Sequence, residues 1–198
     1  MSDALIVIDV QNDFCTGGAL AVPNSDEIIP RINALMSEYD SIVLTQDWHP
    51  NEHLSFASSH KHKKAYDSID MSYGYQVLWP DHCIQGSEGA EFHSELNTSQ
   101  ANLIIRKGMN PNIDSYSAFY ENDKKTPTGL EGYLKTLDVT DVTLVGLATD
   151  FCVNYSAVDA AKLDFNVKVM TDLSRAIDIE GSLADAFKKM TSVGVKLI

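Results

Sequence analysis

Three reactive side chains stand at or just after the ends of apolar, β-branched runs in this 198-residue sequence: Asp9, Lys107 and Cys152. A carboxylate can act as a general base toward a thiol, and an ammonium can stabilise the charge that develops. A position near a helix N-terminus, with Lys107 nearby, would lower the pKa of the Cys152 thiol and favour the thiolate. Together the three residues predict nucleophilic catalysis, provided that the fold makes them neighbours.

Each of these side chains also has an ordinary structural explanation. Most free cysteines are small buried hydrophobes, so Cys152 could simply fill space. Asp9 sits within an apolar run, where a carboxylate is costly to bury unless it is paired, so it could belong to a structural salt bridge. Lys107 alone would be a solvated cation, and only the coincidence of all three points to chemistry.

Asp47 and His49 suggest a metal site. They are separated by one residue, so an extended chain would point both side chains the same way. Carboxylate oxygen with imidazole nitrogen suits zinc, iron or manganese, and His53 or His82 could add another imidazole. Such a set leaves coordination positions open, as catalytic metal sites do. The other histidines are interpreted as surface loop residues: His60, His62 and His93.

A parallel sheet would gather these residues. The apolar runs are continuous rather than alternating, as expected for strands covered on both faces, and they occupy 4–9, 41–46, 102–107, 142–147, 166–171 and 195–198. Helical patterns occupy 24–39, 130–137, 152–163 and 183–190. This alternation predicts an α/β fold, whose ligands bind beyond the carboxyl ends of the strands. Asp172, after the fifth run, is expected at the same edge. Residues 48–101 show no firm strand and are interpreted as a functional loop.

Composition narrows the classes of protein. The length predicts one domain spanning 1–198. Fifteen Lys and Arg against 28 Asp and Glu give a net charge of −13, which argues against binding to nucleic acid or to an anionic membrane. There is no apolar run of membrane-spanning length and no cationic leader, so we predict a cytoplasmic protein. Three scattered cysteines do not suggest a disulfide framework.

Six motifs now form a recognisable pattern. They are DVQNDF at 9–14, DWHPNEHLSF at 47–56, WPDHC at 79–83, KG at 107–108, DSYSAF at 114–119 and GLATDFCV at 146–153. In this order and spacing the chain, from Ala4 to Ile198, resembles the nicotinamidases (pyrazinamidases) of the isochorismatase-like cysteine hydrolase superfamily. That resemblance implies a six-stranded parallel sheet flanked by helices on both faces.

The resemblance also assigns roles to residues. Asp9, Lys107 and Cys152 match the catalytic residues of the family, and the metal ligands match Asp47, His49 and His82. His53 matches a histidine that binds the metal in some members and lies beside it in others. Phe14, Trp79 and Tyr116 match aromatic residues that bind the substrate in the family. The backbone N–H groups of Ala148 and Cys152 match those that form the oxyanion hole of the family. The resemblance also implies a cis peptide bond between Leu147 and Ala148.

The implied reaction is the metal-dependent hydrolysis of nicotinamide and pyrazinamide-like amides. The reaction would proceed through a cysteine thioester intermediate and give nicotinate and ammonia. The pathway it would serve is NAD salvage. One divalent ion is expected, zinc first, with iron or manganese as alternatives. A homo-oligomer is left open. Two rivals stay open as well: a metal-free amidohydrolase acting on carbamoyl or ureido substrates, and a non-enzymatic metal-binding or scaffold protein.

Overall fold

The computed structural model describes residues 2–198. Six of its eight strands form one sheet in the order β5-β2-β1-β6-β7-β8, and all neighbours in it run parallel. The strands are β1 (Ser2–Ile8), β2 (Ile42–Asp47), β3 (Ser68–Met71), β4 (Gly74–Val77), β5 (Leu103–Lys107), β6 (Val139–Leu147), β7 (Asn166–Arg175) and β8 (Lys196–Leu197). The helices are α1 (Ile29–Met36), α2 (Leu130–Thr136), α3 (Asn154–Lys162) and α4 (Ser182–Ser192). The predicted α/β class and six-stranded parallel sheet are confirmed.

β1 is an interior strand, and its sequence shows why. Leu5 pairs with Ile42 of β2 on one side and with Thr143 of β6 on the other. Every residue from Ala4 to Val10 is at most 1% exposed. Full burial of an aliphatic side chain contributes about 1.5–3 kcal/mol, so both faces of an interior parallel strand favour apolar residues. The continuous apolar run therefore positions β1 at the centre of the sheet.

The strand order reverses beside β1. From β1 the chain moves to β2 on one side, whereas β6, β7 and β8 lie on the other side. Because crossovers between parallel strands are almost always right-handed, this reversal places α1 on one face and α3 and α4 on the opposite face. Open α/β sheets bind ligands beyond the carboxyl ends of the strands at such a reversal.

β7 is longer than predicted, and this corrects the expectation for Asp172. The register between β6 and β7 shifts between Leu144 and Gly146, and pairing resumes at Ser174. Asp172 therefore lies within the strand, where its half-exposed carboxylate pairs with Arg31 on the surface. The polar residues after the fifth apolar run hid this extension, and Asp172 is not part of the functional edge.

The segment 48–101 contains a hairpin that the sequence did not predict. β3 and β4 pair antiparallel, with Met71 opposite Gly74. Most side chains of this two-stranded sheet are partly or fully exposed, so no apolar pattern marked it, yet Gln76 of β4 is completely buried. In residues 2–198 the structure has no helix that combines the length and the apolar character needed to cross a bilayer.

Candidate active site

Asp9, Lys107 and Cys152 meet at the carboxyl edge of the sheet, beside the reversal in strand order. Asp9 follows β1, Lys107 ends β5, and Cys152 lies in a π-helical turn (Thr149–Val153) after β6. The Lys107 ammonium nitrogen is 2.9 Å from Asp9 Oδ2 and 3.5 Å from Cys152 Sγ. All three side chains are buried. The sheet thus brings together three residues that are far apart in the sequence.

Asp9 is fixed by the neighbouring strand. Thr45 Oγ1 of β2 donates to Asp9 Oδ1 at 2.6 Å and accepts the Asp9 backbone N–H at 3.1 Å. The other oxygen, Oδ2, is buried and forms an ion pair with the Lys107 ammonium. The Asp9 carboxylate lies within 4.8 Å of the Cys152 sulfur, so it is placed to receive a proton from that thiol.

The protonation of this group follows from its burial. Burial raises the pKa of Asp9, although the Lys107 charge opposes the shift. Burial also raises the pKa of Cys152 well above its usual value. The carboxylates of Asp9 and Asp47 raise this pKa further, whereas the Lys107 charge lowers it. The expected lowering of the thiol pKa is therefore wrong, because one ammonium does not outweigh burial and two carboxylates. A base must take the Cys152 proton, and Asp9 is next to it.

Asp47, His49 and His82 form a second buried group. Asp47 Oδ2 lies 3.5 Å from His49 Nε2 and 3.8 Å from His82 Nε2. One ligand atom from each residue lies within 4.8 Å of the other two. Asp47 Oδ1 accepts a hydrogen bond from Lys107 at 2.5 Å. Asp47 therefore belongs to both groups, with one oxygen directed to each.

Both imidazoles are oriented for coordination. His49 Nδ1 lies 2.9 Å from the Gly108 carbonyl oxygen, and His82 Nδ1 lies 2.7 Å from that of Pro80. A carbonyl only accepts, so each Nδ1 carries a proton and each Nε2 faces Asp47. His49 Nε2 is buried and has no hydrogen-bond partner in the described chain, a deficit that a cation would remove. One carboxylate and two imidazoles fit zinc, iron or manganese.

The charges of this group agree with that fit. Burial works to raise the pKa of Asp47, but Lys107 and His49 hold it below its usual range. Burial and His49 lower the pKa of His82 to about 4, so its imidazole is neutral at pH 7. Burial works to lower the pKa of His49, but Asp47 raises it overall. Positive charge is therefore favoured at His49 Nε2, where a bound cation would replace the proton.

Gly108 makes room for His49. Its φ of +67° lies in the left-handed region, and an added Cβ would sit 2.4 Å from His49 Cε1. Glycine alone satisfies both the backbone angle and the close contact. The KG motif thus joins the ammonium of Lys107 to a glycine that shapes the second group.

His53 lies beside the second group without joining it. Its ring centroid is 4.5 Å from that of His49. His53 Nδ1 is 2.7 Å from Ser55 Oγ, and Nε2 is 2.8 Å from the Asn110 carbonyl oxygen. Both nitrogens are therefore engaged, and neither presents a free lone pair to the group around Asp47.

An apolar pocket of about 330 Å³, measured with its open mouth, adjoins both groups. Trp79 Nε1 donates to the Tyr116 hydroxyl at 2.9 Å, which fixes the two rings edge to face. Because this bond uses the indole N–H, Trp79 offers an apolar surface. The pocket contains all three aromatics expected to bind substrate, and its lining is Phe14, Leu20, Asp47, Trp79, His82, Asp114, Tyr116, Ala148, Phe151, Cys152 and Ile177.

Sequence reasoning missed Gln76 and Asp114. Gln76 Nε2 lies 2.8 Å from Asp114 Oδ2 and 2.8 Å from the Tyr116 hydroxyl, so the unpredicted hairpin supports the pocket wall. Asp114 begins the DSYSAF motif, which could have drawn attention to it. Gln76 carried no signal, because it is one polar residue in a short polar strand.

Ala148 connects β6 to the π-helical turn. Its carbonyl oxygen accepts from Phe151 and from Val153, each at 3.1 Å. The Leu147–Ala148 peptide bond is cis, as the resemblance implied. Ala148 and Cys152, whose backbone N–H groups the resemblance assigns to an oxyanion hole, both border the pocket.

Comparisons with known proteins agree with this geometry. The model of the Isochorismatase domain family matches residues 3–198. A nicotinamidase from Acinetobacter baylyi is 54% identical over 195 residues, covering 98% of this chain and 91% of that protein. A solved nicotinamidase/pyrazinamidase from Acinetobacter baumanii has a TM-score of 0.98 at 52% identity, covering 100% of this chain and 95% of that chain. A pyrazinamidase from Pyrococcus horikoshii, solved in complex with zinc, has a TM-score of 0.80 at 34% identity, covering 100% of this chain and 99% of that chain. The chain belongs to the isochorismatase family, and the resemblance inferred from its motifs is confirmed.

Proposed function

We propose that this protein is a nicotinamidase that hydrolyses nicotinamide, and pyrazinamide-like amides, to nicotinate and ammonia. The observation that carries the proposal is the buried contact of Lys107 with Asp9 and Cys152 beside an apolar pocket. The names of the relatives from the two Acinetobacter species support the same substrate class.

Cys152 is the nucleophile in this proposal. Asp9 takes the thiol proton as the sulfur attacks the amide carbon, and Lys107 stabilises the charges on both partners. The backbone N–H groups of Ala148 and Cys152 hold the tetrahedral oxyanion, where one such donor is worth about 3 kcal/mol of barrier.

Protonated Asp9 then acts as the acid in the breakdown of the tetrahedral intermediate. Asp9 returns the proton to the amide nitrogen, the carbon–nitrogen bond breaks, and ammonia leaves a thioester on Cys152. Asp9 then takes a proton from water as the water oxygen attacks the thioester carbon. The carbon–sulfur bond breaks, Cys152 regains a proton, and nicotinate is released.

Asp47, His49 and His82 would hold one divalent ion, with zinc proposed first and iron or manganese as alternatives. When bound, the ion would bind the pyridine nitrogen and so orient the ring. The zinc complex of the Pyrococcus horikoshii relative supports this ligand chemistry. Phe14, Trp79 and Tyr116 would enclose the ring.

The wider setting is also a proposal. We propose one hydrolase domain over 1–198, acting in NAD salvage in the cytoplasm, with a homo-oligomer left open. A metal-free amidohydrolase for ureido substrates would have no use for His49 Nε2, which is buried without a partner. A scaffold protein would have no use for the contacts of Lys107 with Asp9 and Cys152.

The deciding experiment measures ammonia release from nicotinamide by the purified protein, before and after chelation. We expect hydrolysis, loss of it with the chelator, and recovery on adding back Zn²⁺, Fe²⁺ or Mn²⁺ singly. Hydrolysis of a ureido substrate but not of nicotinamide, unaffected by chelation, would contradict the proposal. Retention of the bound ion with no ammonia release from either nicotinamide or a ureido substrate would support the non-enzymatic rival.

A further inference from the structure

Asp150 lies two residues before Cys152, and neither polar group described above uses it. The side chain is buried. Oδ1 accepts the backbone N–H of Ile177 at 3.2 Å, and Oδ2 accepts that of Asp178 at 2.8 Å. Oδ2 also accepts the Ser182 hydroxyl at 2.5 Å. The two backbone donors belong to the short stretch that joins β7 to α4, and Ser182 is the first residue of α4.

This stretch, residues 176–181, has a backbone that needs external support. Asp178 and Glu180 have φ values of 55° and 51°, in the left-handed region that residues with a β-carbon seldom adopt. Such conformations persist where surrounding contacts fix them. None of the six residues is fully buried, so packing alone does not hold them. The Asp150 carboxylate accepts hydrogen bonds from Ile177 and Asp178 in the first half of the loop and from Ser182, which directly follows the loop.

The loop contributes to the pocket through a single side chain. Ile177 lines the pocket together with Phe151 and Cys152, whereas Ile179, two residues later, does not. The backbone N–H of Ile177 is itself one of the donors to Asp150. The position of this apolar wall therefore depends directly on the carboxylate.

We infer that Asp150 is a positioning residue that fastens loop 176–181 over the pocket, so that Ile177 closes the apolar wall and limits the ring substituents a substrate can carry. The substrate part of this inference rests on the proposed function. Asp150 is not a second base for Cys152, because both of its oxygens are occupied by donors of the loop and of Ser182.

The first test is amide hydrogen exchange on the full-length, metal-loaded protein, which does not depend on any activity. In Asp150→Asn, an N–H donor replaces one acceptor oxygen, so we expect faster exchange at Ile177 and Asp178, by about tenfold or more. Ser182→Ala removes one hydrogen bond and should show a smaller increase in the same amides. This milder variant keeps the test valid if Asp150→Asn folds poorly. Unchanged exchange in both variants would overturn the inference.

The second test separates positioning from general stability. Asp150→Asn should raise KM for nicotinamide about tenfold, equivalent to about 1.4 kcal/mol, while kcat changes less. Ile177→Ala should raise KM and increase the relative rate on a ring-methylated nicotinamide, whereas the matched Ile179→Ala should do neither. Equal effects of the two alanine variants would overturn the role of Ile177. If no variant hydrolyses nicotinamide, the proposed function fails, and the exchange test still decides whether Asp150 fastens the loop.

Discussion

The two polar groups of the site are built on different kinds of structure. Asp9, Lys107 and Cys152 stand at or just beyond the ends of β1, β5 and β6, so the sheet itself places them. His49 and His82 come from the long segment after β2, where no strand of the main sheet supports them. The comparison teaches that sheet topology alone can bring a thiol, a carboxylate and an ammonium together, whereas imidazoles on loops need further contacts to fix them.

Asp47 is where the two groups join. Its Oδ1 accepts from Lys107, and its Oδ2 faces the Nε2 atoms of His49 and His82. If the groups have separate roles, a change in one should leave a measurable property of the other intact. Single substitutions can therefore impair one polar group while leaving the other intact.

The largest effect is expected from Cys152→Ala. Removal of the nucleophile should lower kcat by about a millionfold, as loss of the nucleophile does in a serine hydrolase. Bound metal, measured by elemental analysis, should remain stoichiometric because no ligand is lost. Substantial residual turnover would contradict covalent catalysis.

His49→Ala tests the second polar group, which contains Asp47, His49 and His82. It should lose bound metal and raise KM at least as much as it lowers kcat, because we propose that the ion orients the ring. Loss of a residue that hydrogen-bonds to a metal ligand lowers metal affinity by about 10–100-fold. Loss of the ligand itself should lower the affinity at least as much. The matched control is His53→Ala, a neighbouring imidazole whose nitrogens contact Ser55 and Asn110. Equal metal loss in both variants would make His53 a ligand.

The pH profile tests the base. Burial raises the pKa of Asp9, and Asp9 must be ionised to accept a proton. Activity should therefore fall as the pH drops through this raised value, by about tenfold per unit below it. The thiol, whose pKa is raised well above normal, stays protonated at neutral pH and should cause no loss there. The measurement is kcat/KM against pH, with metal content checked at each pH. A profile flat down to the usual range of aspartate would contradict the assignment.

Thr45→Val should have the smallest effect and sharpen the comparison. It removes the 2.6 Å hydrogen bond that stabilises ionised Asp9, so the pKa of Asp9 should rise further. The acid limb of the profile should move up accordingly, with little change in kcat at pH 8 and none in metal content. Thr143→Val is the matched control, since the Thr143 hydroxyl contacts Tyr39 instead. A shift in the control as large as in Thr45→Val would show that strand packing, not the hydrogen bond, is responsible.

Much of the fold could be predicted because interior parallel strands carry a strong signal. The run ending at Asp9 is buried on both faces, and its apolar character fixed the place of β1 in the sheet. The run ending at Lys107 forms the edge strand β5, where Ile104 is 45% exposed, and its apolar residues were still enough to predict a strand. The hairpin bearing Gln76 could not be predicted, since most of its side chains face solvent. The extension of β7 was hidden because most of its residues are polar, although Leu173 and Ser174 are buried, and this misplaced Asp172.

The site divides in a similar way. Strand ends predicted the meeting of Asp9, Lys107 and Cys152, but the choice of His82 among several histidines came only from resemblance. The protonation of Cys152 could not be predicted, because it depends on how deeply the thiol is buried and on the number of carboxylates around it. Contacts such as those of Gln76 and Asp150 join distant segments through single polar side chains, which leave no periodic pattern in a sequence.

Gly108 has a consequence for attempts to redesign this protein. Its carbonyl oxygen orients His49, and its missing β-carbon leaves the space that the imidazole occupies. A library that varies the residues around the ion to change metal preference should therefore keep position 108 invariant. Even alanine there would displace His49, the proposed ligand, before any new coordination chemistry could be selected.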